Sequence, residues 1–133
     1  HHCKFAVPSV KLKEIEKPLD FGSVKITPLP VKHNNDTVLG YKINNMAYIT
    51  DCSYIPEESF ELIKDIDLLI LDALRYKKHP KHFNIDQAVQ VIKDLEVKRA
   101  YLTHISHEIE HNEVNEELPE SIQLAYDGLK LKV

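Results

Sequence analysis

The chain has 133 residues, 43% of them hydrophobic, and a formal net charge of -4 with a pI near 6.1. This size supports a single domain spanning residues 1–133, and the scattered lysines and arginines argue against a nucleic-acid-binding surface. With no apolar run near the roughly 20 residues of a membrane span and only two cysteines, Cys3 and Cys52, we expect a cytoplasmic protein in a reducing compartment that does not associate with membranes.

The first third of the chain predicts short strands. Residues 1–20 are interpreted as an N-terminal extension or an edge strand, because the apolar residues between Phe5 and Glu16 are interrupted by Pro8. Alternation around Val24 and Ile26 predicts a strand from Phe21 that ends at Pro28, with His33 in the following loop.

A pair of strands and a helix are predicted next. Strands from Thr37 to Tyr41 and from Met46 to Thr50 should be joined by a turn at Asn44-Asn45, because asparagine tolerates the left-handed conformation. The second of these strands runs into Asp51. Pro56 with two acidic residues after it is typical of the first turn of a helix.

From here strands and helices alternate. Asp67 to Asp72 is an apolar run without alternation, which predicts a strand covered on both faces. After a polar loop from Arg75 to His82, Asn84 should cap a helix from Ile85 to about Leu95.

The last predicted elements are a short strand that runs into two histidines, a helix and a hairpin. Ala100 to Leu102 predicts a short buried strand that ends in His104, and Ser106 stands where a helix N-cap would precede a glutamate-rich helix from about Glu108 to Glu117. Asp127-Gly128 between two apolar runs, 122–126 and 129–133, predicts a hairpin. The alternation of elements indicates an α/β fold.

Several polar residues follow strands directly, and open α/β sheets place their chemistry at such strand ends. They are His33, Asp51, Asp72, His82, His104 and His107. Imidazole and carboxylate ligands suit zinc, manganese or iron. Each residue alone could equally be a turn former, a cap or an ion-pair partner, so the argument for a metal site depends on their recurrence at equivalent positions.

Seven blocks of the sequence resemble, in order, those of metallo-β-lactamase-fold hydrolases. They are Pro28-Leu29-Pro30-Val31-Lys32-His33, Leu39-Gly40-Tyr41-Lys42-Ile43, Tyr48-Ile49-Thr50-Asp51, Leu69-Ile70-Leu71-Asp72-Ala73-Leu74-Arg75, His79-Pro80-Lys81-His82-Phe83, Leu102-Thr103-His104-Ile105-Ser106-His107 and Ala125-Tyr126-Asp127-Gly128-Leu129. Within this superfamily, the chain is most similar to the branch that contains the phosphoribosyl cyclic phosphate phosphodiesterase PhnP.

The resemblance implies a site for two divalent metal ions, zinc or manganese, that hydrolyses a phosphodiester. It implies that His33 and His104 are ligands of different metals and that Asp51 bridges the two. It implies that His82 contacts the phosphate or protonates the leaving oxygen. His79, His107 and Asp72 then remain as residues that support the ligands or contact the substrate.

One part of the family pattern is absent from this sequence, namely the histidine-x-histidine-x-aspartate-histidine motif that supplies the other ligands. The resemblance therefore implies the C-terminal half of an αββα sandwich, with a mixed β-sheet and helices on one face. We expect this chain alone to hold little or no metal and to be inactive. The exposed sheet face should bind either a second copy of the chain or the missing N-terminal half.

A function of another class remains open at this point. The chain could be a non-catalytic remnant that binds a partner through the exposed sheet, with its histidines and aspartates as ordinary loop residues. Metal content distinguishes the two interpretations, since only the hydrolase requires metal ions.

Overall fold

The computed structural model describes residues 7–133, which form one seven-stranded mixed sheet and three helices. The strands lie in chain order, β1 to β7, at Leu19–Asp20, Lys25–His33, Asp36–Ile43, Met46–Ile49, Leu68–Asp72, Arg99–Thr103 and Ile122–Leu124. The helices are α1 at Glu57–Leu62, α2 at Ile85–Leu95 and α3 at His111–Glu117. The predicted α/β class is confirmed.

Strand direction brings four chain segments to one edge of the sheet. Strands β1 to β4 pair antiparallel, whereas β4 to β7 pair parallel. Strand β2 therefore runs in the same direction as β4, β5 and β6. Their carboxyl ends, where His33 and Asp72 lie, meet at the same edge, which is the position where open α/β sheets bind ligands.

The core lies between one face of the sheet and the three helices. Paired rows of buried residues cross this face from β4 to β7, in the order Ala47, Leu69, Ala100, Ile122 and in the order Ile49, Leu71, Leu102, Leu124. Helix α2 contributes Ala88 and Ile92 to the same cluster, and α3 contributes Val114. Helix α2 begins with the predicted cap, since the Asn84 side chain accepts a hydrogen bond from the Gln87 amide.

Strand β2 differs from the prediction, because it continues through Pro28 and Pro30 to His33. The Lys32 amide donates to the Tyr54 carbonyl, on the edge that faces away from β3. Pro28 and Pro30 share the strand parity of Lys32, so their nitrogens face that edge too, and neither removes a hydrogen bond between β2 and β3. His33 is thus a strand residue and not a loop residue.

The two chain ends also differ from the predictions. Of the expected edge strand from Phe5 to Glu16, residues 7–16 are described and form no strand. Val10 and Leu12 are two residues apart, but Val7 is three residues before Val10, so the three exposed side chains would not share one face of a strand. The part before Val7 lies outside the described residues.

The hairpin predicted at the C-terminus is wrong. Strand β7 pairs parallel with β6, and residues 129–133 form no strand. A turn does form, since the Leu129 amide donates to the Tyr126 carbonyl, but only Gly128 has a positive φ, of 87°. A two-residue turn of the common hairpin type requires positive φ at both central residues, so this turn does not reverse the chain onto its own strand.

The last helix is shorter than predicted. Helix α3 begins at His111, and the side chain of Glu110, rather than Ser106, caps it by accepting from the Glu113 amide. Ser106 instead accepts from the Glu108 amide in the preceding turn. Each of these caps satisfies an amide that lacks a helical partner.

The second face of the sheet is apolar and partly exposed. A row of paired residues crosses it in the order Tyr41, Tyr48, Ile70, Tyr101, and Leu39 and Tyr48 are 37% and 40% exposed. The helices of residues 7–133 pack on the opposite face. None of these helices has the length and hydropathy to cross a lipid bilayer.

We expect the 133-residue chain to associate through this second face, because burying apolar surface yields about 25 cal/mol per Å². Sedimentation at micromolar concentration should show a dimer or larger oligomer. Tyr48→Glu should dissociate it, since a charge would enter the contact, whereas Leu62→Glu at a 44% exposed residue of helix α1, on the opposite face, should not. A folded monomer of the unmodified chain would contradict the expectation.

Candidate functional site

The site is a cluster of histidines and aspartates at the carboxyl edge of the sheet. His33 ends β2, Asp51 follows β4, Asp72 ends β5, and His104 follows β6. His82 reaches the cluster from the loop between β5 and α2. Five residues that are distant in sequence therefore meet because parallel strands end together.

The distances within the cluster define two overlapping groups. The ligand atoms of His33, Asp51 and His82 lie within 4.8 Å of one another, and so do those of Asp72, His82 and His104. The Asp51 Oδ1 atom is 3.6 Å from His104 Nε2 and 4.0 Å from His82 Nδ1. Asp51 thus lies between the histidine of β2 and the histidine that follows β6.

The imidazole rings pack around His82. Its ring centroid is 4.6 Å from that of His104, in a stacked arrangement, and 5.0 Å from that of His33, nearly edge-on. The His79 ring is 5.1 Å away. The cluster thus places three further imidazole rings around that of His82.

Asp72 is the fully buried residue of the cluster, and it contacts both the Asp51 loop and His82. Its side chain is fully buried, and its Oδ2 atom accepts a 2.9 Å hydrogen bond from the Cys52 amide and lies 2.8 Å from His82 Nδ1. Burial raises the pKa of Asp72, whereas the hydrogen bond from Cys52 and the proximity of His82 act in the opposite direction. Because Nδ1 of His82 is engaged with Asp72, the Nε2 atom of His82 is the one that can contact a ligand.

Backbone hydrogen bonds connect the three loops that carry these residues. The Phe83 amide donates to the Cys52 carbonyl at 2.7 Å, and the Leu74 amide donates to the Phe83 carbonyl at 3.0 Å. The Ser106 amide donates to the Leu74 carbonyl at 2.8 Å. The loops after β4, β5 and β6 are therefore fixed relative to one another before any ligand binds.

Two residues near the site were missed by sequence reasoning. The Ser53 hydroxyl accepts from the Asn34 amide and donates to the Lys32 carbonyl, so it fastens the Asp51 loop to the end of β2. Cys52 is buried, which raises the pKa of its thiol to about 12. No pattern in the sequence distinguishes these two residues, because their roles depend on backbone groups distant along the chain.

Two predicted site residues lie at the margin of the cluster. His79 is partly exposed, and its Nδ1 atom accepts from the Lys81 amide at 3.1 Å. The pKa of His79 is lowered by desolvation and by repulsion from His82, Arg75 and Lys81. His107 is exposed in the turn before α3 and belongs to neither ligand group of the described residues.

The donor set fits a divalent metal ion. Three imidazoles and two carboxylates converge, and these are ligands that zinc and manganese accept. The Nε2 atom of His33 and the Oδ1 atom of Asp72 are buried and have no hydrogen-bond partner among the described residues. Buried polar atoms are nearly always satisfied, so an unpartnered imidazole nitrogen beside Asp51 indicates a ligand position.

Comparison with known proteins places this chain in the beta-lactamase superfamily. The profile of the beta-lactamase superfamily domain matches residues 2–105. A solved diphosphatase of the PhnP family is 42% identical with a TM-score of 0.87, over 90% of this chain and 47% of that one. The metallo-beta-lactamase fold protein YhfI from Bacillus subtilis is 24% identical with a TM-score of 0.71, over 88% of this chain and 53% of that one.

A curated relative is much longer than this chain. The octanoyltransferase of Porphyromonas gingivalis (strain ATCC BAA-308 / W83) is 38% identical over 127 residues, which are 92% of this chain and 26% of the relative. The chain thus spans about a quarter of this relative and about half of the solved structures it resembles. A name that describes the whole relative does not assign octanoyl transfer to the quarter that matches.

Two residues of the cluster, Asp51 and His104, have a strained backbone conformation. Asp51 and His104 have φ of 52° and 63°, in the left-handed region, which costs a residue with a Cβ roughly 1–2 kcal/mol. His104→Gly and His104→Ala both remove the imidazole, but only glycine relieves the strain. We expect the glycine variant to unfold with a free energy about 1 kcal/mol higher than that of the alanine variant, as measured with urea.

Equal unfolding free energies in these two variants would contradict the left-handed assignment. The same substitutions at Thr103, a residue of β6 outside the left-handed set, serve as a control. At Thr103 the glycine variant should have a lower free energy of unfolding than the alanine variant, because glycine weakens a strand.

Proposed function

The chain belongs to the beta-lactamase superfamily, and from this membership we propose that the protein is a metal-dependent phosphodiesterase with a dinuclear site. The observation that carries the proposal is the position of Asp51, which shares one ligand group with His33 and lies 3.6 Å from the Nε2 atom of His104. A carboxylate between two histidines from different strands is suited to bridging two metal ions. The 42% identity to a PhnP-family diphosphatase supports a phosphate ester as the substrate.

The residues of this chain would supply part of the ligand set of each metal ion. His33 would bind one ion through its buried Nε2, His104 would bind the other, and Asp51 would contact both. Divalent cations, zinc or manganese in this proposal, lower the pKa of water and offset phosphate charge. Since the chain spans about half of the solved relatives, we propose that a second half supplies further ligands.

His82 and Asp72 are the residues that we assign to proton transfer. Asp72 accepts from Nδ1–H of His82 and so orients the ring, which leaves Nε2–H to donate to the oxygen that leaves the phosphorus. We propose that His82 protonates the leaving group and that Asp72 positions it.

The proposal extends to the surroundings of the site. We propose that the exposed sheet face is covered by the second half of the sandwich, or by a second copy where that half is absent. The buried free thiol of Cys52 is compatible with a reducing cytoplasm, which we include in the proposal. A partner-binding role without catalysis is the alternative, and the exposed Tyr48 and Leu39 favour it.

Asp51→Ala in the full-length protein should lose metal and activity together, because the bridging carboxylate serves both ions. Metal per chain, measured by mass spectrometry after gel filtration, should fall well below that of the unmodified protein. Asp36→Ala, at an exposed residue of β3, is the control and should retain metal. Full retention of metal and activity in Asp51→Ala would remove this residue from the site.

His82→Ala should lower turnover by roughly 10²- to 10⁴-fold while metal content is unchanged, because it removes a general acid but no ligand. His79→Ala, at the neighbouring ring, is the matched control and should have a much smaller effect. Loss of metal in His82→Ala would make His82 a ligand, which its place in both ligand groups allows. An unaltered rate would refute the general-acid role.

A further inference from the structure

The loop that carries His82, residues 75–84, is closed at its base but has little backbone support within it. The Ile85 amide donates to the Arg75 carbonyl at 2.9 Å, which joins the two ends of the loop. Within the part of the chain that the structure describes, residues 76–82 make no backbone–backbone hydrogen bond. Side chains must therefore fix the part of the loop that presents the proposed general acid.

The guanidinium of Arg75 supports the start of this loop. Its Nε atom donates to the Lys77 carbonyl at 3.3 Å, and its Nη2 atom donates to the Lys78 carbonyl at 3.4 Å. The planar fork of a guanidinium can reach two neighbouring oxygen atoms at once, whereas the ammonium of a lysine is a single point charge. The chain after Arg75 is thus folded around the Arg75 side chain.

The third nitrogen of the same guanidinium faces a different loop. The Nη1 atom of Arg75 lies 3.8 Å from Glu108 Oε1. Glu108 is in the turn that follows His104, and its amide donates to the Ser106 hydroxyl in that turn. Arg75 therefore connects the loop of the proposed general acid to the loop of a proposed metal ligand.

The far part of the loop depends on the part that Arg75 holds. His79 directly follows Lys78, whose carbonyl Arg75 contacts. The Nδ1 atom of His79 accepts from the Lys81 amide at 3.1 Å, and its ring centroid is 5.1 Å from that of His82. A shift of the Lys78 carbonyl would therefore move a ring that packs beside His82.

An arginine near a phosphate site could instead contact the substrate directly. The three nitrogens of the Arg75 guanidinium each face an oxygen atom of the protein, and its side chain is only 25% exposed. These contacts favour a role within the protein over a role in binding phosphate.

We propose that Arg75 is a positioning residue for the proton-transfer step, because its guanidinium holds the His82 loop against the loop that follows His104. The proposal rests on the proposed phosphodiesterase function. In that reaction hydroxide adds to phosphorus, the bond from phosphorus to the leaving oxygen breaks, and the Nε2 proton of His82 moves to that oxygen. Arg75 touches none of these atoms and keeps the Nε2 atom of His82 within reach of the leaving oxygen.

Two leaving groups of different basicity test this role in the full-length protein. Methyl phenyl phosphate and methyl 4-nitrophenyl phosphate contain the same reacting phosphodiester, but phenolate requires a proton far more than 4-nitrophenolate does. Arg75→Ala should lower kcat for the phenyl ester by about 10-fold, which is part of the roughly 10²- to 10⁴-fold that a general acid supplies. For the nitrophenyl ester kcat should fall by less than about twofold, and KM should change by less than about twofold for both esters.

A double variant identifies the residue through which Arg75 acts. His82→Ala should show the same selective loss for the phenyl ester, and the addition of Arg75→Ala should cause no further loss, because a positioning residue has no effect once its target is absent. Arg75→Lys should resemble Arg75→Ala, since an ammonium replaces the fork, and it is the second variant if the alanine variant does not fold. Lys78→Ala is the matched control, because it removes a charge of the same loop but keeps the carbonyl that Arg75 contacts. It should alter neither ester.

An NMR signal of His82 reports on its position without turnover. The proton between Nδ1 of His82 and Asp72 should give a low-field signal in the unmodified protein and in Lys78→Ala. The signal should be broadened or lost in Arg75→Ala and in Arg75→Lys, because the ring is then less firmly held.

Three results would overturn the positioning role of Arg75. They are an Nδ1 proton signal of His82 that is unchanged in both Arg75 variants, equal losses of kcat for the two esters, and a raised KM with unchanged kcat, which would make Arg75 a phosphate contact. Absence of hydrolysis of either ester by the unmodified protein would overturn the proposed function instead, and the NMR signal would still decide whether Arg75 positions His82.

Discussion

The fully buried carboxylate of Asp72 is the constraint on which the rest of the site depends. A charge without solvent is costly unless it is paired and hydrogen-bonded. Asp72 satisfies this requirement with two groups from other loops, the Cys52 amide after β4 and the His82 ring before α2. The residue that ends β5 thus determines where the neighbouring loops lie, and with them Asp51 and His82.

The sheet and its register make this arrangement possible. Parallel pairing of β4, β5 and β6 places the ends of these strands side by side, and the double reversal through β3 brings β2 to the same edge. Asp51 and His104 then turn toward the cluster in the left-handed conformation, which other residues of these loops do not adopt. Such strain has a cost in stability and is often found at functional sites.

The sequence was sufficient for most of this architecture and for the members of the cluster. The apolar run from Asp67 to Asp72, the Asn84 cap and the Asn44-Asn45 turn are local signals, and the structure contains the strand β5, the helix α2 and the β3–β4 turn that they predict. The strand through Pro28 and Pro30 was missed because its tolerance of proline depends on which edge remains unpaired. The C-terminal hairpin was predicted wrongly because Asp127-Gly128 permits several turns, and pairing with β6 decides among them. The contacts from Cys52 and Ser53 depend on distant backbone groups that no local pattern reveals.

The central claim is that the cluster at the carboxyl edge of the sheet holds metal ions for hydrolysis. Its most direct test is the number of zinc or manganese ions per chain in the full-length protein, purified without chelators and measured by mass spectrometry. The account predicts a value near two, falling toward zero when His33 and His104 are both replaced by alanine. A value near zero in the unmodified protein, after incubation with either metal, would contradict it and favour the partner-binding alternative.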